Sequence, residues 1–247
     1  MYQRTSRIAG LVTPRPVLRT PAPTTRRRPA PAPLAPTLPT RSAVGERAQA
    51  AADLVLAGAM AVVLLPVVLA CVALVRLTSR GPAIYSQTRV GKNGRVFTLY
   101  KIRSMYHDCE RHSGPKWSTP GDTRITPLGR VYRKLHLDEL PQLWNVLRGD
   151  MSLIGPRPER PEIVAKLRES VPGYDRRHQV KPGITGFAQV HLPPDTCLRS
   201  VKNKVAYDLF YIRHASVPLA LFILFATGLK LFGLKKLYQR KPRVPTE

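Results

Sequence analysis

The sequence predicts an α+β protein attached to a membrane. It would be a mostly helical body with a small β-hairpin, an N-terminal re-entrant membrane helix and C-terminal interfacial helices. Three observations lead there. An uncharged apolar run, Leu54 to Val75, contains Pro66 near its middle. Two extended segments, Ala83 to Arg89 and Arg95 to Lys101, flank the glycine-bounded turn Gly91-Lys92-Asn93-Gly94. Helical patterns follow over residues 128–136, 139–148, 159–170 and 199–214.

The first unit, residues 1–47, carries nine Arg, no Lys and a single acid, Glu46, with nine prolines between Pro14 and Pro39. Each proline removes an amide donor and fixes a torsion, so neither helix nor sheet is expected. A disordered basic tail resting on anionic headgroups fits this composition; so does a solvated extension without a dedicated partner.

The second unit, residues 48–76, holds the apolar run. About 20 apolar residues suffice to cross a bilayer. Pro66 leaves the Val62 carbonyl without its helical donor, which predicts a kink or break. Arginine dominates the preceding tail, and Arg76, Arg80, Arg89, Lys92, Arg95, Lys101 and Arg103 follow before any acid. The positive-inside rule assigns both flanks to the cytoplasm. A segment that enters, bends at Pro66 and returns satisfies both; an ordinary kinked span is the alternative. Leu69-Ala70-Cys71 weakly resembles a lipoprotein cleavage site, but the preceding region is too long for a typical signal peptide.

The third unit, residues 77–214, is the body. Residues 107–130 read as an irregular loop rich in glycine and proline, and residues 181–190 as a turn leading into a short extended piece. The fourth, residues 215–247, is apolar from Val217 to Gly228 and then mixes Lys230, Lys235 and Lys236 with Leu and Phe. That pattern suits a helix at the interface with lysines reaching the headgroups, with a second span as the alternative.

A net charge of +25 makes anions the natural partners: nucleic acid, phosphate esters or an anionic bilayer. A membrane-tethered nucleic-acid-binding protein is therefore an alternative. No recognition fold or aromatic–basic interleaving supports it, so nucleic acid is not an expected partner. Cys71, Cys109 and Cys197 are odd in number and far apart, which excludes a disulfide framework or zinc spacing.

Against 40 Lys and Arg, the chain has only 15 acids, yet Asp138 and Glu139 are adjacent. Two readings stand side by side. Asp138 could cap the helix whose first turn holds Pro141. Alternatively, one carboxylate attacks phosphorus while the other holds a divalent metal, magnesium fitting best. In Gly155-Pro156-Arg157-Pro158-Glu159 the prolines either lead into a helix or stiffen a turn that presents Arg157 to a phosphate. Lys101 and Arg103 alternate on the predicted strand and share a face, solvated or phosphate-facing. Asp208 reads as an ordinary helix carboxylate. His107, His112 and His136 lack metal-site spacing.

Taken together, Tyr100-Lys101-Ile102-Arg103-Ser104-Met105, Leu137 to Leu143, Gly149 to Pro158 and Pro182 to Gln189 resemble the bacterial sugar transferase family, the small monotopic polyprenyl-phosphate phosphoglycosyl transferases. The resemblance covers roughly residues 50 to 240. It implies transfer of a phosphosugar from a nucleoside diphosphate sugar, usually a UDP-sugar, to polyprenyl (undecaprenyl) phosphate. UMP leaves, and a surface glycan or exopolysaccharide is begun. It further implies Asp138 as nucleophile through a phosphosugar-aspartyl intermediate and Glu139 as the Mg2+ ligand. Lys101, Arg103 and Arg157 would meet the phosphates, with Pro156 and Pro158 near the nucleotide and Asp208 handling polyprenyl phosphate. The catalytic domain would be residues 77–214, on the cytoplasmic face of a bacterial plasma membrane; a homo-oligomer is compatible with it. One departure is Leu65-Pro66, where the family often has Ser-Pro.

Overall fold

A computed structural model describes residues 42–111, 118–119, 121–195, 197–234 and 237–238. Most of the expected tail, His112, Lys235 and Lys236 lie outside the described residues.

Helix α1 (Ala43–Thr78) begins inside the stretch assigned to the tail, because Ser42 caps it. The Ser42 hydroxyl accepts from the Gly45 amide at 3.2 Å, and Glu46 sits in the first turn, where the helix dipole favours an acid. The expected break at Pro66 is not an interruption; the helical run continues through it. Proline costs one intrahelical bond, and contacts on either side hold the segment. Ala57, Cys71 and Val75 are buried, whereas Val55, Val62, Val63, Leu65 and Leu69 stay exposed.

One body touches α1 along its length. Near its start, Lys92 pairs with Glu46 at 2.9 Å and the Leu153 amide donates to Asp53 at 3.2 Å. Near its end, the Tyr132 hydroxyl donates to the Cys71 carbonyl at 3.0 Å.

The hairpin appears as read. Strands β1 (Ile84–Val90) and β2 (Val96–Ile102) pair antiparallel from Ile84–Ile102 to Val90–Val96. Asn93 and Gly94 take positive φ in the turn. Next come α2 (Pro127–Lys134), α3 (Gln142–Leu147) and β3 (Ser152–Ile154). Helix α4 (Pro161–Ser170), β4 (Gly183–Thr185) and α5 (Phe187–His191) follow, then α6 (Leu198–His214) and α7 (Val217–Leu231).

The parallel pair β3–β4 was not expected as a sheet. It forms because Gly155 and Gly183 let two backbones close; a Cβ on Gly183 would meet the Gly155 nitrogen at 2.0 Å.

The main core joins Ala57 of α1, Leu99 of β2, Leu143 and Val146 of α3, Ile154, Phe187, Tyr211, and Ile223 and Ala226 of α7. Helix α7 therefore buries one face while Val217, Leu221 and Phe225 stay exposed. Its 15 residues rise about 22 Å, short of the ~30 Å hydrocarbon core, so it does not make a span by itself.

Asn145, fully buried, ties α3 to β2. Its amide donates to the Thr98 carbonyl at 2.7 Å, and its carbonyl accepts from the Tyr100 amide at 3.2 Å. Asn145→Ala strands both groups and is expected to cost about 3 kcal/mol in chemical denaturation in micelles. A loss below about 1 kcal/mol would show that β2 is held in other ways.

Candidate active site

His136 adopts a left-handed conformation (φ 54°), and Leu137–Glu139 then form a turn of 3-10 helix. Successive residues in such a turn point about 120° apart, so Asp138 and Glu139 face different surroundings. The capping reading does not hold: α3 begins at Gln142 behind Pro141, and no side chain caps it.

Glu139 faces two cations. Lys101 Nζ donates to Oε1 at 2.7 Å. Arg157 donates from Nη2 to Oε1 and from Nη1 to Oε2, the latter at 3.3 Å, a two-pronged contact. Burial would raise the pKa of Glu139, but Arg157 and Lys101 outweigh it and hold the carboxyl well below its usual range. Burial also lowers the Lys101 pKa, with Glu139 opposing.

Asp138 differs from its neighbour. It is 6% exposed and takes no hydrogen bond or ion pair from the described residues. Burial raises its pKa; Lys101 opposes this, the Glu139 charge adds to it, and Arg133 and Arg157 oppose it. An ionised carboxylate with free lone pairs, bordered by cations, can attack an electrophilic phosphorus.

Arg157 is presented as the stiff turn suggested, and each carbonyl around it is held. Pro156 O accepts from Gly183, Arg157 O from Arg177 Nη2 at 2.9 Å, and Pro158 O from Arg89 at 3.0 Å. Lys204 and Arg89 hold the Glu159 carboxylate, and its pKa falls to about 2 although burial opposes this.

Four expected residues thus converge: Asp138, Glu139, Lys101 and Arg157. The others do not join them. Arg103 continues the β1–β2 pairing through its amide to Ala83 O, but its guanidinium reaches back to the Ser79 and Arg80 carbonyls at the C-terminal end of α1. Helix carbonyls there attract a cation. Pro156 and Pro158 are buried scaffold whose carbonyls are already used. Asp208 is buried and paired with Arg177 at 2.7 Å, behind the Arg157 turn.

Sequence reasoning missed Arg177, which is 2% exposed and supports the Arg157 backbone. Beside Arg176 and Asp175 it looks like a surface charge; only packing by α6 buries it. Arg133 was also missed; its charge acts on Asp138 while Nε donates to Ser104 at 2.8 Å. His136 lies within the field of both carboxylates, and burial lowers its pKa. Lys230, expected at the headgroups, donates to the Gln189 carbonyl at 2.7 Å. Among the described residues, no group of three or more His, Cys, Asp or Glu is placed to hold a metal.

The model of the bacterial sugar transferase family matches residues 44–233. The UDP-N-acetylgalactosamine-undecaprenyl-phosphate N-acetylgalactosaminephosphotransferase of Aeromonas hydrophila is 45% identical over 162 residues, 66% of this chain and 38% of that protein. A UDP-glucose:undecaprenyl-phosphate glucose-1-phosphate transferase of Xanthomonas campestris pv. campestris is 40% identical over 195 residues, 77% of this chain and 40% of its own. Exopolysaccharide production protein PSS of Rhizobium leguminosarum bv. phaseoli is 39% identical over 170 residues, 67% of this chain and 85% of its own. The chain thus spans about 40% of the length of the first two relatives.

The raised Asp138 pKa carries a stability consequence with a definite sign. A carboxyl whose folded pKa lies above its unfolded value weakens the fold once pH rises through the folded pKa. Asp138→Asn is therefore expected to raise the melting temperature at neutral pH. The gain should shrink as pH falls and vanish below about 4, the unfolded aspartate value. A melting curve unchanged at neutral pH would contradict the burial cost.

Proposed function

Because the chain belongs to the bacterial sugar transferase family, we propose that it moves a phosphosugar from a UDP-sugar to undecaprenyl phosphate and releases UMP. The product, an undecaprenyl-diphosphate-sugar, would begin a surface glycan or exopolysaccharide. The observation that carries this reading is the unpaired Asp138 carboxylate next to a Glu139 already committed to Lys101 and Arg157.

In the first step an Asp138 oxygen attacks the phosphorus that bears the sugar. A P–O(Asp) bond forms, the bond to the UMP oxygen breaks, and UMP leaves with the electron pair. In the second step a phosphate oxygen of undecaprenyl phosphate attacks the same phosphorus. The P–O(Asp) bond breaks, and Asp138 returns as a carboxylate. Because the carboxylate is consumed and restored, the two substrates can use one pocket in turn.

Lys101 and Arg157 would oppose charge building on the phosphoryl oxygens, Arg157 by a planar two-pronged contact. Glu139 holds both cations in place until the diphosphate arrives.

Magnesium fits these residues. Glu139 accepts three hydrogen bonds, two on Oε1 and one on Oε2, so a lone pair on Oε2 stays open. Magnesium takes one or two carboxylates plus substrate phosphate oxygens. When bound, it would neutralise part of the diphosphate charge.

Helix α1 is long and apolar enough to cross a membrane, with a mean hydropathy of 2.8 over its most apolar 18 residues. In our reading α1 stays on one side of the bilayer, bent at Pro66 within a continuous helical run. That a single body bonds α1 at Glu46 and again beyond its end at Ser79 supports this over a crossing helix. The cytoplasmic face suits the basic flanks. The exposed apolar faces of α1 and α7 would then set Asp138 where a soluble donor meets a lipid acceptor.

The test is UMP release from a UDP-sugar panel with undecaprenyl phosphate and magnesium. Asp138→Asn should lower turnover at least about a thousandfold, as removal of a nucleophile does. Arg157→Lys, which keeps the charge but loses the fork, should cost about tenfold or more. Near-normal turnover by folded Asp138→Asn would exclude the covalent route.

A further inference from the structure

An open cleft lies between the first turns of α1, β3 and the end of α6, and none of Asp138, Glu139, Lys101 or Arg157 lines it. Its polar wall is one face of α1: Glu46, Gln49 and Asp53, spaced three and four residues apart. These groups are already engaged. Glu46 pairs with Lys92, Gln49 donates to the Ser152 hydroxyl at 3.1 Å, and Asp53 accepts from Leu153. The opposite wall is apolar, with Ile154, Val180 and Ile212.

Lys181 also lines the cavity. It is half-buried and has no hydrogen bond or ion pair with the described residues. It shares the space with Glu46 and Asp53, which bond Lys92 and Leu153 instead, so its ammonium is left to take an anion.

Position supplies the second argument. Asp53 is followed directly by the apolar stretch of α1, whose Val55, Leu56 and Val62 are exposed. Ala215, also in the lining, leads into α7, whose Val217, Leu221 and Phe225 are exposed. Both apolar elements begin at this cavity. A bilayer that covers those faces brings the cavity to headgroup depth.

We propose that this cavity holds the headgroup of a membrane phospholipid, its phosphate on Lys181 and its first acyl methylenes over Ile154, Val180 and Ile212. A free phosphate would leave the apolar wall unused. The acceptor lipid would have to bring its phosphate to Asp138, which lines none of this space. The inference depends on no step of the transfer reaction.

The experiment uses the full chain in micelles and a phosphatidylglycerol with a photoreactive group on the first carbons of one acyl chain. Light-driven labelling should map to peptides holding Ile154, Val180 or Ile212. Lys181→Ala should weaken labelling about tenfold, the loss of one charge-assisted contact. Ile212→Trp, which fills the space, should abolish it while thermal melting confirms the fold. Three results would each overturn the proposal: labelling unchanged in both variants, inorganic phosphate competing as well as unlabelled phosphatidylglycerol, or undecaprenyl phosphate displacing the probe one for one. The last would assign the cavity to the acceptor substrate.

Discussion

The Glu139 carboxylate is bonded at once by Lys101, carried on β2, and by Arg157, carried on the turn after β3. Two cations bonded to one carboxylate would repel each other without that shared anion. Removing Glu139 would leave both cations without their shared anion, although water reaches about a third of the Arg157 side chain and screens part of that cost. The sharing also explains the division of labour between the adjacent acids. Glu139 is committed to the cations, so Asp138 is left without a partner and keeps its lone pairs.

Most of the surrounding structure keeps those two cations at their stations. Asn145 fixes the strand that carries Lys101 by bonding it on both sides of Leu99. Arg177 fixes the backbone of Arg157 and is itself held by Asp208 and Tyr174. Asp208 thus acts three contacts away from Glu139, through Arg177 and then Arg157. The stiffness of the Pro156–Pro158 turn has the same effect by another route, since each proline ring removes backbone freedom that a charged loop would otherwise have to lose on binding.

The parts legible in the sequence were those set by local chemistry. Hairpin alternation, the glycine turn and the helix periods over α2, α4 and α6 all came from spacing. The carboxylate pair stood out because the chain is so poor in acids. Arg103 misled because alternation gives a side chain's face but not its partner, and the end of α1 claims its guanidinium. The start of α1 was hidden by the proline-rich stretch ahead of it, although Ser42 and Glu46 form a recognisable entry to a helix. The 3-10 turn replaced an N-cap because His136 turns left-handed before it, which no spacing pattern announces. Arg177 and the β3–β4 pair depend on contacts between distant parts of the chain, so single-chain patterns could not reveal them.

The membrane and the chemistry meet in one arrangement. The apolar faces of α1 and α7 lie open while their other faces pack into the core that holds β2 and α3. The central claim is that Asp138 briefly carries a sugar phosphate. Rapid-quench mass spectrometry of the chain mixed with UDP-sugar and magnesium, with no lipid acceptor present, tests it most directly. The account requires one phosphosugar on the peptide that contains Asp138, with an equal amount of UMP released. A chain that stays unmodified while it turns over, or a label on any other residue, would contradict it.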